Sequence, residues 1–285
     1  MSLNWKYKID LHREKTGAKA VITEPLSISF DITRTTQVTP NQAIFTVYNL
    51  AENTRKAFEK MKPLDYKSSN EQQKGSYGMD DYCSVILSVQ REGGNELVIF
   101  KGDMIECHSS ISEGEWATEM NCGDGLFALK YASMSGHYAK DAFAKSTFEK
   151  EAKKYKLEVE FNAEPVKNPI PITIKEKFTK TLDWAFPNNW YIDNGTLVTG
   201  ERKKIVYKIT GRTLAQTPKR EENILHIQTM FLPEPRLGNI MEVTSDVMGG
   251  FGQWEIASIK HKGEFPAGDL QSEFTLIPPG AKFNE

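Results

Sequence analysis

Five histidines, three cysteines, two close glutamates, a glycine cluster and five tryptophans are the side chains here with the chemistry to make a site. His12, His108, His137, His226 and His261 fall in no HExxH or comparable metal-ligand spacing. Cys107 and His108 are adjacent, and neighbours on a strand point to opposite faces, so they do not share a metal. Cys83, Cys107 and Cys122 make no CxxC pair, and three such thiols read as buried or free cysteine made in a reducing compartment. No GxSxG nucleophile elbow occurs. Glu113 and Glu115 have the residue type of a glycosidase pair, but they flank Gly114, and carboxylates at a turn are solvated. Gly249, Gly250 and Gly252 read as a turn between two strands; a phosphate cradle would need a helix start after them, and none follows. Trp5, Trp116, Trp184, Trp190 and Trp254 offer stacking surface for a sugar, yet tryptophan in a β-rich chain is mostly core. The inventory names no catalytic, cofactor-binding or metal-ligating residue.

Composition narrows the class. The chain has 285 residues, 39% hydrophobic and 11% aromatic, enough for two or three cored domains. A formal net charge of −2 argues against a nucleic-acid binder. The longest apolar run is far short of the ~20 residues of a membrane span, and residues 1–10 show no apolar signal region.

The elements that would position any site are mostly strands. Leu26, Ile28, Phe30 and Ile32 alternate with polar residues, the period of a half-buried strand. Pro40-Asn41 turns the chain into Ala43–Tyr48, which is apolar at nearly every position, like a strand covered on both faces. Asn49 and Glu52 have capping-box spacing ahead of a helix with Leu50, Phe58 and Met61 on one stripe. An opening strand carries Trp5, Tyr7, Ile9 and Leu11. Residues 64–82 are polar and aperiodic, a surface loop that reads either as an idle insertion or as a segment that orders on a partner. From Cys83 to Cys122 a β-meander turns at Glu92–Asn95, at Gly102-Asp103 and at Glu113-Gly114. Asp124 would cap a short helix through Ala132, and Ser146 with Glu149 a second one carrying Phe148 and Ala152. Strands at 157–161 and 170–174, a helix from Thr179 and an Asn194-Gly195 hairpin follow; Pro169 and Pro171 put the 170–174 strand at an edge. Strands at 205–209, 224–231, 240–244, 254–262 and 271–277 complete the chain. This divides it into an antiparallel domain (1–130), a small α/β domain (131–201) and a second antiparallel domain (202–285).

Four stretches together resemble a known family. ITRTTQVTPNQAIFTVYNLAENTR (32–55) resembles the opening of phage tail hub proteins. Asn121-Cys122-Gly123-Asp124-Gly125 is similar to the Asp-Gly that closes their first barrel. TLDWAFPNNWYIDNGTLV (181–198) resembles their inserted α/β domain, and MFLPEPRLGNIMEVTSD with QWEIASIKHKGEF (230–265) their second barrel. The 64–82 loop is longer than that pattern, and GRTLAQTP (211–218) matches its turn only loosely. The resemblance is to baseplate hubs of contractile-tailed bacteriophages, such as the hub of the T-even phages. It implies a β-rich (α+β) fold with two tail-tube-like antiparallel β-barrel or sandwich domains and a small α/β insertion. It also implies a homotrimer that adapts a hexameric tail tube, or a distal tail ring protein, to a trimeric spike, with the tape measure protein as a further neighbour. Such a protein sits in the virion baseplate, is made in the host cytoplasm, and needs no membrane anchor, nucleic acid, cofactor or catalytic residue. Alternative readings are a distal tail ring protein or the hub of a contractile secretion system. A tail-associated wall hydrolase acting through Glu113 and Glu115, or a sugar-binding module using Trp116, would be a different class.

Overall fold

The computed structural model describes residues 5–39, 41–59, 82–112, 114–141, 143–245, 249–266 and 268–281. They fall into two units. The first comprises Met1–Ile32, Gln42–Asp124 and His261–Gln271; the second comprises Thr33–Asn41, Gly125–Lys260 and Ser272–Glu285. No helix among the described residues is long and apolar enough to cross a membrane.

The first unit is an antiparallel sheet built by period-2 sequence. Its strands are β1 (Trp5–Arg13), β2 (Ala18–Thr23), β3 (Ile28–Thr35), β4 (Gln42–Tyr48), β5 (Cys83–Arg91), β6 (Glu96–Ser112) and β7 (Glu115–Gly123). They run in the order β3-β4-β7-β6-β5-β1-β2. β1 buries alternate residues from Trp5 to Arg13, as its pattern requires. Ile9, Ile32, Phe45, Val85, Leu87, Phe100 and Met120 are fully enclosed. Each such side chain contributes about 1.5–3 kcal/mol by leaving water. Phe45 meets Phe100 edge-on at 5.6 Å, and Tyr7 and Phe30 pack on Phe265 at 5.2 and 5.6 Å. Burial, then the Glu24 carboxylate, pushes the Tyr7 phenol up to about 12, and its hydroxyl donates to the Leu26 carbonyl at 2.5 Å.

Three local expectations change in this unit. β4 buries Ala43, Phe45 and Val47 but exposes Ile44, so it is covered on one face only. Asn49 does not cap helix α1 (Glu52–Glu59). It adopts φ 55° and exchanges bonds with the Trp116 backbone: its N–H donates to the Trp116 carbonyl at 2.7 Å and its Oδ1 accepts from the Trp116 N–H at 3.4 Å. Gly102-Asp103 is no turn. β6 runs through it and absorbs an extra residue between Met104 and Glu106 against β7. Gly102 is required there because a Cβ would lie 2.7 Å from the Gly123 carbonyl oxygen and from the Phe100 ring. Met61, Glu113 and residues 64–81 lie outside the described residues.

The second unit combines a small α/β region with a second antiparallel sheet. The α/β region contains α2 (Leu126–Tyr131), β8 (Ser133–Tyr138), α3 (Lys145–Lys154), β9 (Glu158–Phe161), β10 (Ile172–Lys177), α4 (Phe178–Ala185), β11 (Trp190–Asp193) and β12 (Thr196–Thr199). β8 pairs with β10, and β9 joins β12 in parallel. The sheet contains β13 (Val206–Ile209), β14 (Lys219–Glu221), β15 (Ile224–Met230), β16 (Ile240–Ser245), β17 (Gly249–Phe265) and β18 (Gln271–Ile277). Its order is β14-β15-β18-β17, with β16 on β17 and β13 parallel to β16. β3 and β17 each contribute residues to both units.

The Asn-Gly hairpin is as expected, with Asn194 at φ 53° and Gly195 at φ 71°, both values that a type I′ turn needs. Two capping expectations fail. α2 starts after Gly125 and α3 after Ala144, each without a side-chain cap. Ser146 lies inside α3, and Glu149 instead accepts from Lys153 at 2.6 Å. The glycine cluster is not a turn either. Gly249 and Gly250 pair with Ser245 and Thr244 inside the β16–β17 ladder, and Gly252 (φ 80°) sits at its bulge. The fold is β-rich with extended antiparallel sheet, in the expected class, and no strand pairing among the described residues closes a barrel.

Candidate interaction sites

The residues with reactive chemistry are scattered. The histidines lie on β1, β6, β8, β15 and β17. His137 Nδ1 bonds Thr173 Oγ1 at 2.7 Å, and His226 Nδ1 meets Thr275 Oγ1 at 3.4 Å. Cys107 is buried and His108 exposed, on opposite faces of β6. Among the described residues no group of three or more His, Cys, Asp or Glu could hold a metal ion. Cys83, Cys107 and Cys122 are all buried, and none of the three is in a disulfide. Burial, then Glu59 and Glu106, pushes the Cys107 thiol up to about 12, and burial raises Cys122 well above its ordinary value, so neither is a thiolate nucleophile near neutral pH. Glu115 is exposed at the start of β7, opposite Ser112.

The tryptophans divide. Trp5, Trp190 and Trp254 are core, whereas Trp116 and Trp184 are exposed. Trp116 is 38% exposed and carries the Arg55 guanidinium 3.6 Å over its ring. That cation–π pair forms one wall of a groove of about 590 Å³ in the first unit, between α1 and the β6–β7 hairpin. Glu52, Glu59 and His108 line the rest of it.

The most constrained polar cluster was not visible in the sequence. Within the second unit, the hairpin β11–β12 is a wall between two apolar cores. Trp190, Ile192 and Leu197 pack with Phe148, Phe178 and Phe186. Tyr191 and Val198 pack with Ile227, Met241, Trp254 and Phe274. All four β11 residues are therefore buried, Asp193 included. Its carboxylate accepts from Arg34 Nη1 at 3.2 Å and from Arg202 Nη1 at 2.5 Å. Arg202 Nε also donates to Glu160 at 3.0 Å. Burial pushes the Asp193 carboxyl up, but the Arg34 and Arg202 charges outweigh it and hold it below the ordinary value. Asn41 adds to the anchor: its Nδ2 donates to the Ile192 carbonyl and its Oδ1 accepts from the Thr35 N–H, both at 2.8 Å. Two sequence signatures 159 residues apart, 32–55 and 181–198, thus meet at one buried ion cluster. A cleft of about 560 Å³ lies beside it, bounded by Arg202, Tyr191, Asn189, Thr36 and Glu255. This arrangement ties the β11 backbone and its carboxylate to segments distant in sequence.

Residues 7–260 match the model of a protein family described as baseplate hub gp41. No curated protein matches the chain. In fold it is similar to the 43 kDa tail protein of prophage MuSo2 from Shewanella oneidensis, at 13% identity and TM-score 0.62, over 95% of this chain and 97% of that one. It is similar to a tail protein of Neisseria meningitidis at 11% identity and TM-score 0.60, over 96% and 97% of the two chains. A type VI secretion component of Escherichia coli, itself described as structurally similar to T4 tail proteins gp27 and gp5, matches at 10% identity and TM-score 0.54, over 89% and 74%. With the family match running through the strands of both units and through the buried cluster, the chain belongs to the baseplate hub gp41 family of structural phage tail proteins.

Proposed function

We propose that this hub protein is a homotrimeric, non-enzymatic ring that adapts a hexameric tail tube, or a distal ring protein, to a trimeric spike in a contractile tail. The observation that carries this reading is the family match over residues 7–260 on a chain with two antiparallel β units. Two β units per chain in a trimer present six to the tube, and three chains present three-fold symmetry to the spike. The scattered histidines and high-pKa thiols support a structural role over turnover. The division at 1–130, 131–201 and 202–285 belongs to the same proposal, as do assembly in the host cytoplasm and contact with the tape measure protein.

Electron microscopy of the chain mixed with its phage's own spike protein tests this. Rings of three chains on one spike trimer are expected. A six-chain ring would move the protein to the distal-ring reading. The likeness to the E. coli component favours one second reading, the hub of a contractile secretion system, and the same symmetry is expected there.

A further inference from the structure

We propose that the groove between α1 and the β6–β7 hairpin is a carboxylate receptor. Its occupant is a segment of a partner protein that presents one aspartate or glutamate beside an apolar side chain. This goes beyond the ring reading and does not depend on how many copies assemble.

The site is built around Arg55, which lines the groove. The residue is only 8% exposed, and its side chain is fixed from two directions. Its Nε donates to the Leu50 carbonyl at 3.0 Å, and its guanidinium lies 3.6 Å over the Trp116 ring. Among the described residues Nη1 and Nη2 have no acceptor, and neither is fully enclosed. The carboxylates of the same helix do not reach them. Glu52 pairs with Lys56 instead, and among the described residues Glu59 makes no ion pair with Arg55. A charge this buried is ordinarily paired. With Nε taken, the open side of the guanidinium is its Nη1–Nη2 end. Two parallel N–H groups there match the two oxygens of one carboxylate.

The walls decide which anion fits. Glu59 and the Glu52–Lys56 pair line the same groove. A doubly charged phosphate or a nucleic-acid backbone would meet repulsion from them, and like-charge contacts of this kind exclude wrong partners. A single carboxylate meets the least. Beyond the guanidinium the surface turns apolar. Ile111 is opposite Trp116 in the β6–β7 register, so the two side chains share a face. They are 63% and 38% exposed. Together they form a shelf for an apolar residue next to the carboxylate. Tryptophan and arginine are the residue types in which binding energy at protein interfaces concentrates. The groove, about 590 Å³, has the volume of a small-ligand site, enough for a few side chains of a peptide.

Fluorine NMR on the full chain labelled with fluorotryptophan tests this. The five tryptophans each give a signal, and Trp116→Phe identifies the one at the groove. The probes are the blocked tripeptide leucyl-glutamyl-leucine amide, its glutaminyl counterpart and inorganic phosphate. The glutamyl peptide is expected to shift the Trp116 signal saturably. Replacing it by the glutaminyl peptide is expected to weaken binding about tenfold, the worth of a charge-assisted hydrogen bond. Arg55→Lys, which keeps the charge but not the fork, is expected to weaken it by about the same factor. Unmoved signals from the core residues Trp190 and Trp254 show that the variant is folded. Equal binding of the two peptides, or full binding by Arg55→Lys, would overturn the proposal. Phosphate binding as tightly as the glutamyl peptide would mark a general anion site and overturn it too, as would the absence of any shift. None of these outcomes bears on the ring, whose test is the assembled mass.

Discussion

Asp193 carries the sharpest residue-scale prediction. It is 2% exposed between two guanidiniums, so losing its charge removes the buried counter-ion that Arg34 and Arg202 share and leaves Arg202 only its bond to the half-exposed Glu160. Asp193→Asn is expected to cost about 3–5 kcal/mol in denaturant unfolding, the range for breaking a buried pair by removing one partner. Glu160→Gln, at a carboxylate with 37% side-chain exposure, is expected to cost about 0–1 kcal/mol. The cluster also sets a pH dependence. Its folded pKa is held below the ordinary 3.8, so its stabilisation is present above that value and lost as pH falls through the folded pKa. The thermal midpoint of Asp193→Asn relative to wild type is therefore expected to be lowest near neutral pH, with the gap narrowing on acidification below about 4. Trp116 and Arg55 make a second local pair. A double-mutant cycle to alanine should return about 0.5–2 kcal/mol of coupling, as for a cation–π contact between a buried guanidinium and a partly exposed ring.

At the scale of elements, what could be read from sequence followed period and turn chemistry. β1, β3, β15 and β18 alternate nearly throughout, and the Asn194-Gly195 turn is a local instruction that neighbours do not override. Capping boxes failed because the spacing of Asn49-Glu52 and Ser146-Glu149 is common and the side chains found other partners: Asn49 bonds a neighbouring strand, and Glu149 a lysine one turn on. β8, Ser133–Tyr138, shows little apolar pattern in its sequence because Met134 is its one fully buried side chain, with Tyr138 packed at the margin of the core. Gly102-Asp103 has turn composition yet lies inside β6. A glycine in a strand pattern marks close backbone approach as often as a turn, and here the Gly123 carbonyl supplies the approach. Gly102→Val is accordingly expected to destabilise by about 1–3 kcal/mol through overpacking, read as a lower denaturant midpoint at unchanged slope. A neutral result would show that β6 relaxes at its bulge. The ion cluster was illegible because its members come from three segments, and no local pattern encodes a contact 159 residues apart.

For the whole molecule, the chain is a scaffold of two β units whose polar chemistry fixes backbone. Among the described residues the five histidines lie on five different strands and the three cysteines are buried, and the family match covers nearly the full length. The assembly state is where the proposed role is most exposed to test, because a tube-to-spike adapter works only as a closed ring of defined number. Light scattering on the purified chain over a range of concentrations, with and without the spike protein, measures that number. The account predicts three chains, about 97 kDa from three times 32.3 kDa, either alone or as that mass added to the spike trimer's own. A six-chain mass, or a monomer that persists with the spike present, would contradict it.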